Sequence, residues 1–452
     1  MTDLLVRDDP VEAATREQYG AWMRHGVGLA EVAAETAHDP AWPPPPAVEA
    51  DWTPWPGRDV AIDRVDEALA RGWLVAAGDR ASGGLPIAVK DIIDVAGLPT
   101  RNGTPGGRWR EPGTSAPVWS ALDTAGARCI GKAATHEMAW GVVTPQIANP
   151  LDADRIAGGS SGGSAACVAA GAATAALGTD TGGSVRVPAA LCGVVGFRPT
   201  TGSISSDGVT SVCPEQDVVG SLASDVGACV AILERMLDRP LASPSTSLEG
   251  VRIGALARLG RLDPAVEHAY RASVRALERA GATIIECDTT LHRTSASVSL
   301  LTMLRSSALA HAEAVRAAPT AFGSEARALL TLGEALAEHG GLIDAARRTV
   351  GAETAQLFTS QGLDAFVTPT TPCVAPVRGA ETVEIAGRTE PVSAALVRYT
   401  GWAPVTAMPA VNVPVRSHGL PAGVQIMAPP DHDSVCARLA LALEGSLASP
   451  WP

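Results

Sequence analysis

The chain has 452 residues, enough for one large core or two to three ordinary domains, with 35 basic against 48 acidic side chains and a formal net charge of −13. That acidic balance, with neither a basic patch nor a basic tail, argues against a nucleic-acid or anionic-membrane partner and suits a soluble protein that acts on small molecules. The N-terminal segment carries acids and lacks an apolar run, and no span of about 18 strongly apolar residues occurs, which together predict a cytoplasmic protein.

The first ~40 residues read as one or two short helices followed by the proline-rich AWPPPPAVEADWTPWPG, whose prolines forbid regular helix and predict an extended connector. Residues 1–58 are therefore read as an extension and 59–452 as the main domain. LPIAVKD is apolar and β-compatible up to Lys90. Residues 115–125 place Val118, Ala121, Leu122 and Ala125 on one helical face, Gly126 stops that helix, and ARCIGK follows as a strand candidate. VRIGAL, then Asp263 and Pro264 opening a helix that Gly281 ends, then ATIIECD, read as strand, helix, strand. A helical region is predicted over roughly 303–360, followed by the strand candidates DAFVTPT, PAVNVPV and AGVQIM and a last helix, SVCARLALALEG. Such alternation predicts an α/β fold whose parallel or mixed sheet is covered by helices on both faces. Eight cysteines stand singly, with no CxxC pair, and are expected to be reduced and buried rather than disulfide-bonded or metal-bound.

Two glycine-rich segments carry the chemistry. GGSSGGSAACVAAG, residues 158–171, runs straight into an uncharged stretch of small residues that must be packed on all sides, so it is not a flexible linker. It also lacks the GxxxxGK[ST] pattern of a phosphate loop. A turn that opens a buried helix, where glycine permits special dihedrals and close approach of a substrate, fits it. The second segment, GTDTGGSVRVPAA, follows the strand-like AALGTD. Its amides from Thr181 to Ser184 are placed to converge on one point, as an oxyanion requires, with Ser184 as the candidate nucleophile. A serine nucleophile needs a base. Of nine histidines only His136 lies near these segments, where packing beside Met138 and Trp140 explains it; a buried lysine of lowered pKa is the alternative, and Lys90 closes the apolar run LPIAV.

Taken together, VKDIIDVAGLPTRNGTP, GGSSGGSAACVAAG and LGTDTGGSVRVPAALCGVVGFRPTTG, in this order and spacing, resemble the amidase signature family of serine hydrolases. The resemblance runs from about residue 59 to about 445, with its most specific part over about 84–215. It implies a large mixed sheet, Ser184 as nucleophile, Ser160 as a bridging serine after a cis peptide at Gly159, and Lys90 as the ultimate base. It further implies an oxyanion hole from the amides of Thr181, Gly182, Gly183 and Ser184, and a homodimer without metal or organic cofactor. Ser161, Asp180 and Arg186 are expected to support these loops, and Met138, Trp140 and Gly141 to wall the substrate pocket. The chain departs from the family pattern at KAATH, at Gly220-Ser221 and at FRPT. Val187 stands where the tRNA-dependent amidotransferase subunits usually carry glutamine. The expected activity is hydrolysis of a small amide to a carboxylate and ammonia or an amine. The alternatives are an amidotransferase-type subunit that passes ammonia to a partner, and a non-catalytic scaffold on this fold.

Overall fold

The computed structural model describes residues 10–34, 38–45, 62–79, 83–106, 110–241, 247–415 and 419–447. The strands in chain order are β1 (Leu74–Ala77), β2 (Leu85–Lys90), β3 (Ala127–Ala133), β4 (Ala148–Asn149), β5 (Asp152–Ile156), β6 (Ala175–Asp180), β7 (Val195–Arg198) and β8 (Val218–Ala223). They continue with β9 (Arg252–Leu256), β10 (Thr283–Cys287), β11 (Ala365–Pro369), β12 (Thr382–Ile385), β13 (Arg388–Pro391), β14 (Ala410–Val415) and β15 (Ala422–Met427). The helices are α1 (Pro10–Ala34), α2 (Ile62–Ala70), α3 (Pro117–Thr124), α4 (Gly162–Ala169), α5 (Arg186–Cys192), α6 (Val226–Leu237) and α7 (Pro264–Arg279). After them come α8 (Leu291–Ala317), α9 (Ser324–Ala335), α10 (Gly340–Gln361), α11 (Val392–Leu396), α12 (Trp402–Val405) and α13 (Asp433–Ser446).

Eleven strands form one sheet in the order β1-β3-β2-β6-β8-β7-β14-β15-β11-β9-β10. It is mixed: β3, β2 and β6 are mutually parallel, as are β10, β9 and β11, while the strands between them pair antiparallel. Every residue of β2, β6, β8, β11 and β15 is buried, so helices cover both faces, as the alternating sequence pattern predicts. The period-2 geometry of a strand shows how. Ile87 and Val89 join a cluster with Leu122 of α3 and Val230 of α6, whereas Ala88 between them joins Ala165 and Ala166 of α4 on the other side. Lys90 continues the alternation onto the side that α4 covers.

Most predicted elements form close to their expected bounds. The N-terminal segment differs: it is a single 25-residue helix rather than one or two short ones, and it packs against α8, α9 and α10. Glycine inside a helix is unfavourable by roughly 0.5–1 kcal/mol relative to alanine, but Gly26 lies where even a methyl group would touch the Leu301 side chain at 3.4 Å, so it serves close packing on α8. Residues 38–45 of the proline-rich connector run without regular structure, with Trp42 against Phe358 and the Pro44 carbonyl 3.0 Å from His432 Nε2; the remainder of the connector lies outside the described residues. Among the described residues no helix is long and apolar enough to cross a membrane. All eight cysteines are buried and free.

Candidate active site

The site lies at the carboxyl ends of the parallel neighbours β2 and β6, where an open α/β sheet presents loops rather than ladder. Lys90, the last residue of β2, is fully buried and its Nζ donates to Ser160 Oγ and to Thr179 Oγ1, each at 2.8 Å. Burial penalises the ammonium form more than the fields of Asp180 and Asp217 restore it, and the lysine pKa falls from 10.5 to about 7.

Ser160 is presented by the loop before α4. The Gly159–Ser160 peptide is cis and Gly158 has φ +78°. The Ser160 carbonyl accepts from His136 N at 3.1 Å and from Thr144 Oγ1 at 3.2 Å. Ser161 Oγ bridges to Thr179, donating to its carbonyl and accepting from its amide, both at 3.3 Å. The Ser161 amide in turn donates to the Ser184 carbonyl at 3.2 Å, which brings the two serine loops side by side. Glycine is needed at 163 because a Cβ there would sit 2.4 Å from the Ala134 nitrogen and 2.6 Å from the Trp73 carbonyl oxygen, both backbone atoms that cannot swing aside. Gly163→Ala is therefore expected to lower the free energy of unfolding by about 1–3 kcal/mol, the cost of overpacking, read as a shifted midpoint in urea denaturation.

The turn that carries Ser184 is fixed from beneath by Asp180. This carboxylate accepts from the amides of Gly183 (3.0 Å) and Val185 (3.2 Å), from Arg186 Nε and Nη2 (3.0 and 2.9 Å) and from Arg198 Nη1 (3.2 Å). Burial opposes its charge, but the two guanidiniums and these hydrogen bonds prevail and hold its pKa at about 2. Arg186 is also bonded to Gln425 Oε1 and to the Thr400 carbonyl, at 2.8 and 2.9 Å. On the turn itself, Thr400 Oγ1 donates to the Gly182 carbonyl at 2.7 Å and Thr181 Oγ1 to Asp217 at 2.6 Å.

Two expectations need correction. The Gly183 amide donates to Asp180, so it is not free to meet an oxyanion as the resemblance implies. Met138 packs in the core with φ +51° and does not line the cavity, whereas Trp140 and Gly141 do. His136, weighed as a base, instead pairs through Nε2 with Glu325 at 3.3 Å.

Ser184 and Gly182 line a narrow cavity of about 40 Å³. Its walls are mainly apolar, with Trp140, Val142, Leu300, Met303 and Val397 among them, and among the described residues no charged side chain lines it. Sequence reading missed Thr179, Arg198, Asp217, Thr400 and Gln425. Only Arg198 left a trace, as an arginine closing the apolar run VVGF, a pattern that calls for a buried counter-ion.

The amidase family model matches residues 79–436. An amidase of Pseudomonas putida is 34% identical over 350 residues, spanning 73% of this chain and 74% of the relative. A glutamyl-tRNA(Gln) amidotransferase subunit of Anaeromyxobacter sp. (strain K) is 34% identical over 447 residues, spanning 86% of this chain and 88% of the relative. The crystal structure of an amidase superposes with a TM-score of 0.78 at 28% identity, covering 86% of this chain and 94% of that one.

Proposed function

The chain belongs to the amidase family, and from that premise we propose that it hydrolyses a small, uncharged, largely apolar amide through an acyl-enzyme on Ser184. The observation that carries this reading is the buried Lys90 amine in contact with Ser160, next to a serine that faces a neutral cavity. Neutral Lys90 accepts the proton of Ser160 as Ser160 accepts that of Ser184. Ser184 Oγ bonds to the amide carbon, and the developing oxyanion meets the amides of Thr181, Gly182 and Ser184. The C–N bond breaks as the relay returns the proton to the leaving nitrogen, and water then cleaves the ester by the same relay to give a carboxylate.

The lining of the cavity bears on the substrate. A free amino acid such as glutamine would bury an ammonium and a carboxylate with no lining charge to compensate either, at a cost of several kcal/mol per ion. That favours a hydrolase of neutral amides over a glutamine-fed amidotransferase component, the function borne in name by the Anaeromyxobacter relative.

The test is a pH profile. Because the base must be neutral and the lysine pKa is lowered, kcat/KM for a neutral amide is expected to rise with pH through about 7 and level off above it. Lys90→Met is expected to abolish that limb with the activity. A flat profile across the neutral range, with ammonia release that survives Lys90→Met, rejects the mechanism.

A further inference from the structure

On that reading of the site, we propose that the N-terminal helix α1 is its specificity element, with Tyr19 and Trp22 forming the wall against which a flat aromatic acyl group is held. Both residues line the same cavity as Ser184 and Gly182, although they lie far from them in sequence. Three residues apart on one helix, they share a face, and their rings stack with centroids 6.1 Å apart and planes 27° apart. Trp140, T-shaped on His311 at 5.5 Å, adds a third ring to the lining.

The helix is anchored as a fixed wall would have to be. Gln18 Nε2 donates to Ser393 Oγ at 3.0 Å, and Ser393 itself lines the cavity. Glu12 forms a buried ion pair with Arg327 of α9. Tyr19 and Ala30 are buried. Trp22, the largest side chain of the helix, is instead only partly buried and lies in the lining of the cavity. Trp22 packs in part against the core and in part lines the cavity that holds the candidate nucleophile, so one portion of its indole is available to a bound group. Flat rings in a neutral lining favour a flat, uncharged partner, whose offset or edge contacts fill the space.

The experiment compares benzamide with propionamide on the full-length protein, its Trp22→Ala variant and its Trp22→Phe variant, with fluorophosphonate labelling of Ser184 as an independent readout. In Trp22→Ala the benzamide-to-propionamide ratio of kcat/KM is expected to fall about tenfold, carried by KM, and Trp22→Phe is expected to recover most of it. A ratio unchanged in Trp22→Ala, or an equal fall on both amides carried by kcat, overturns the role of α1. A wild-type protein that is neither labelled at Ser184 nor able to hydrolyse either amide overturns the hydrolase reading instead.

Discussion

Ser184→Ala is expected to reduce amide turnover by about four to six orders of magnitude, the range seen when a serine nucleophile is removed from a preorganised site. The residual rate would come from binding and from the amides of Thr181, Gly182 and residue 184, which the substitution leaves in place. The change should be nearly silent structurally. Ser184 takes part in the loop through its backbone, whose carbonyl accepts from Ser161, and the residue lines the cavity. The melting temperature should therefore stay close to that of the parent protein while ammonia release and fluorophosphonate labelling vanish. Turnover retained by a folded Ser184→Ala protein would remove the proposed nucleophile, and with it the acyl-enzyme.

Asp180→Ala is expected to have the opposite signature, a loss of stability first and of activity as its consequence. The carboxylate is buried between Arg186 and Arg198 and also holds the amides of Gly183 and Val185. Its removal leaves two buried guanidiniums without their shared counter-charge, a penalty of about 3–5 kcal/mol, and the protein is expected to be poorly soluble or to unfold at much lower urea. Asp180→Asn, which keeps the shape and one acceptor oxygen for one of the two amides, should be milder yet still destabilised. The pH dependence has a definite sign. A carboxyl held at about 2 in the folded chain against an ordinary 3.8 contributes stability that is fully present above about pH 4 and is lost as pH falls toward 2. If Asp180→Ala matched the parent protein in urea denaturation, the turn would be held by Thr400 and Asp217 without it.

What could be read from the sequence was whatever depends on neighbours along the chain. Glycines next to Ser160 and Ser184 announce turns with unusual dihedrals and close backbone approach; the cis bond after Gly159, φ +130° at Gly183 and the tight contact at Gly163 are where that chemistry is used. The apolar run ending in Lys90 announces a strand that buries an amine. Alternating strand and helix patterns announce a sheet covered on both faces, because a strand buried throughout has no polar face to leave in water.

The rest depended on which strands became neighbours. Arg186 meets Gln425 across 239 residues of chain and Thr400 meets Gly182 across 218, and no local pattern encodes either partner. The N-terminal helix is the plainest case: residue types at 10–34 allow a helix, but only its seating on α8, α9 and α10 brings Tyr19 and Trp22 to the cavity. By itself the sequence determined the local backbone shapes and the side chains they present, since these follow from propensity, dihedral freedom and burial of short segments. The tertiary structure alone decided what surrounds them, because the sheet order and helix packing that juxtapose distant segments are set by the collective burial of apolar surface, to which no single stretch of chain holds the key.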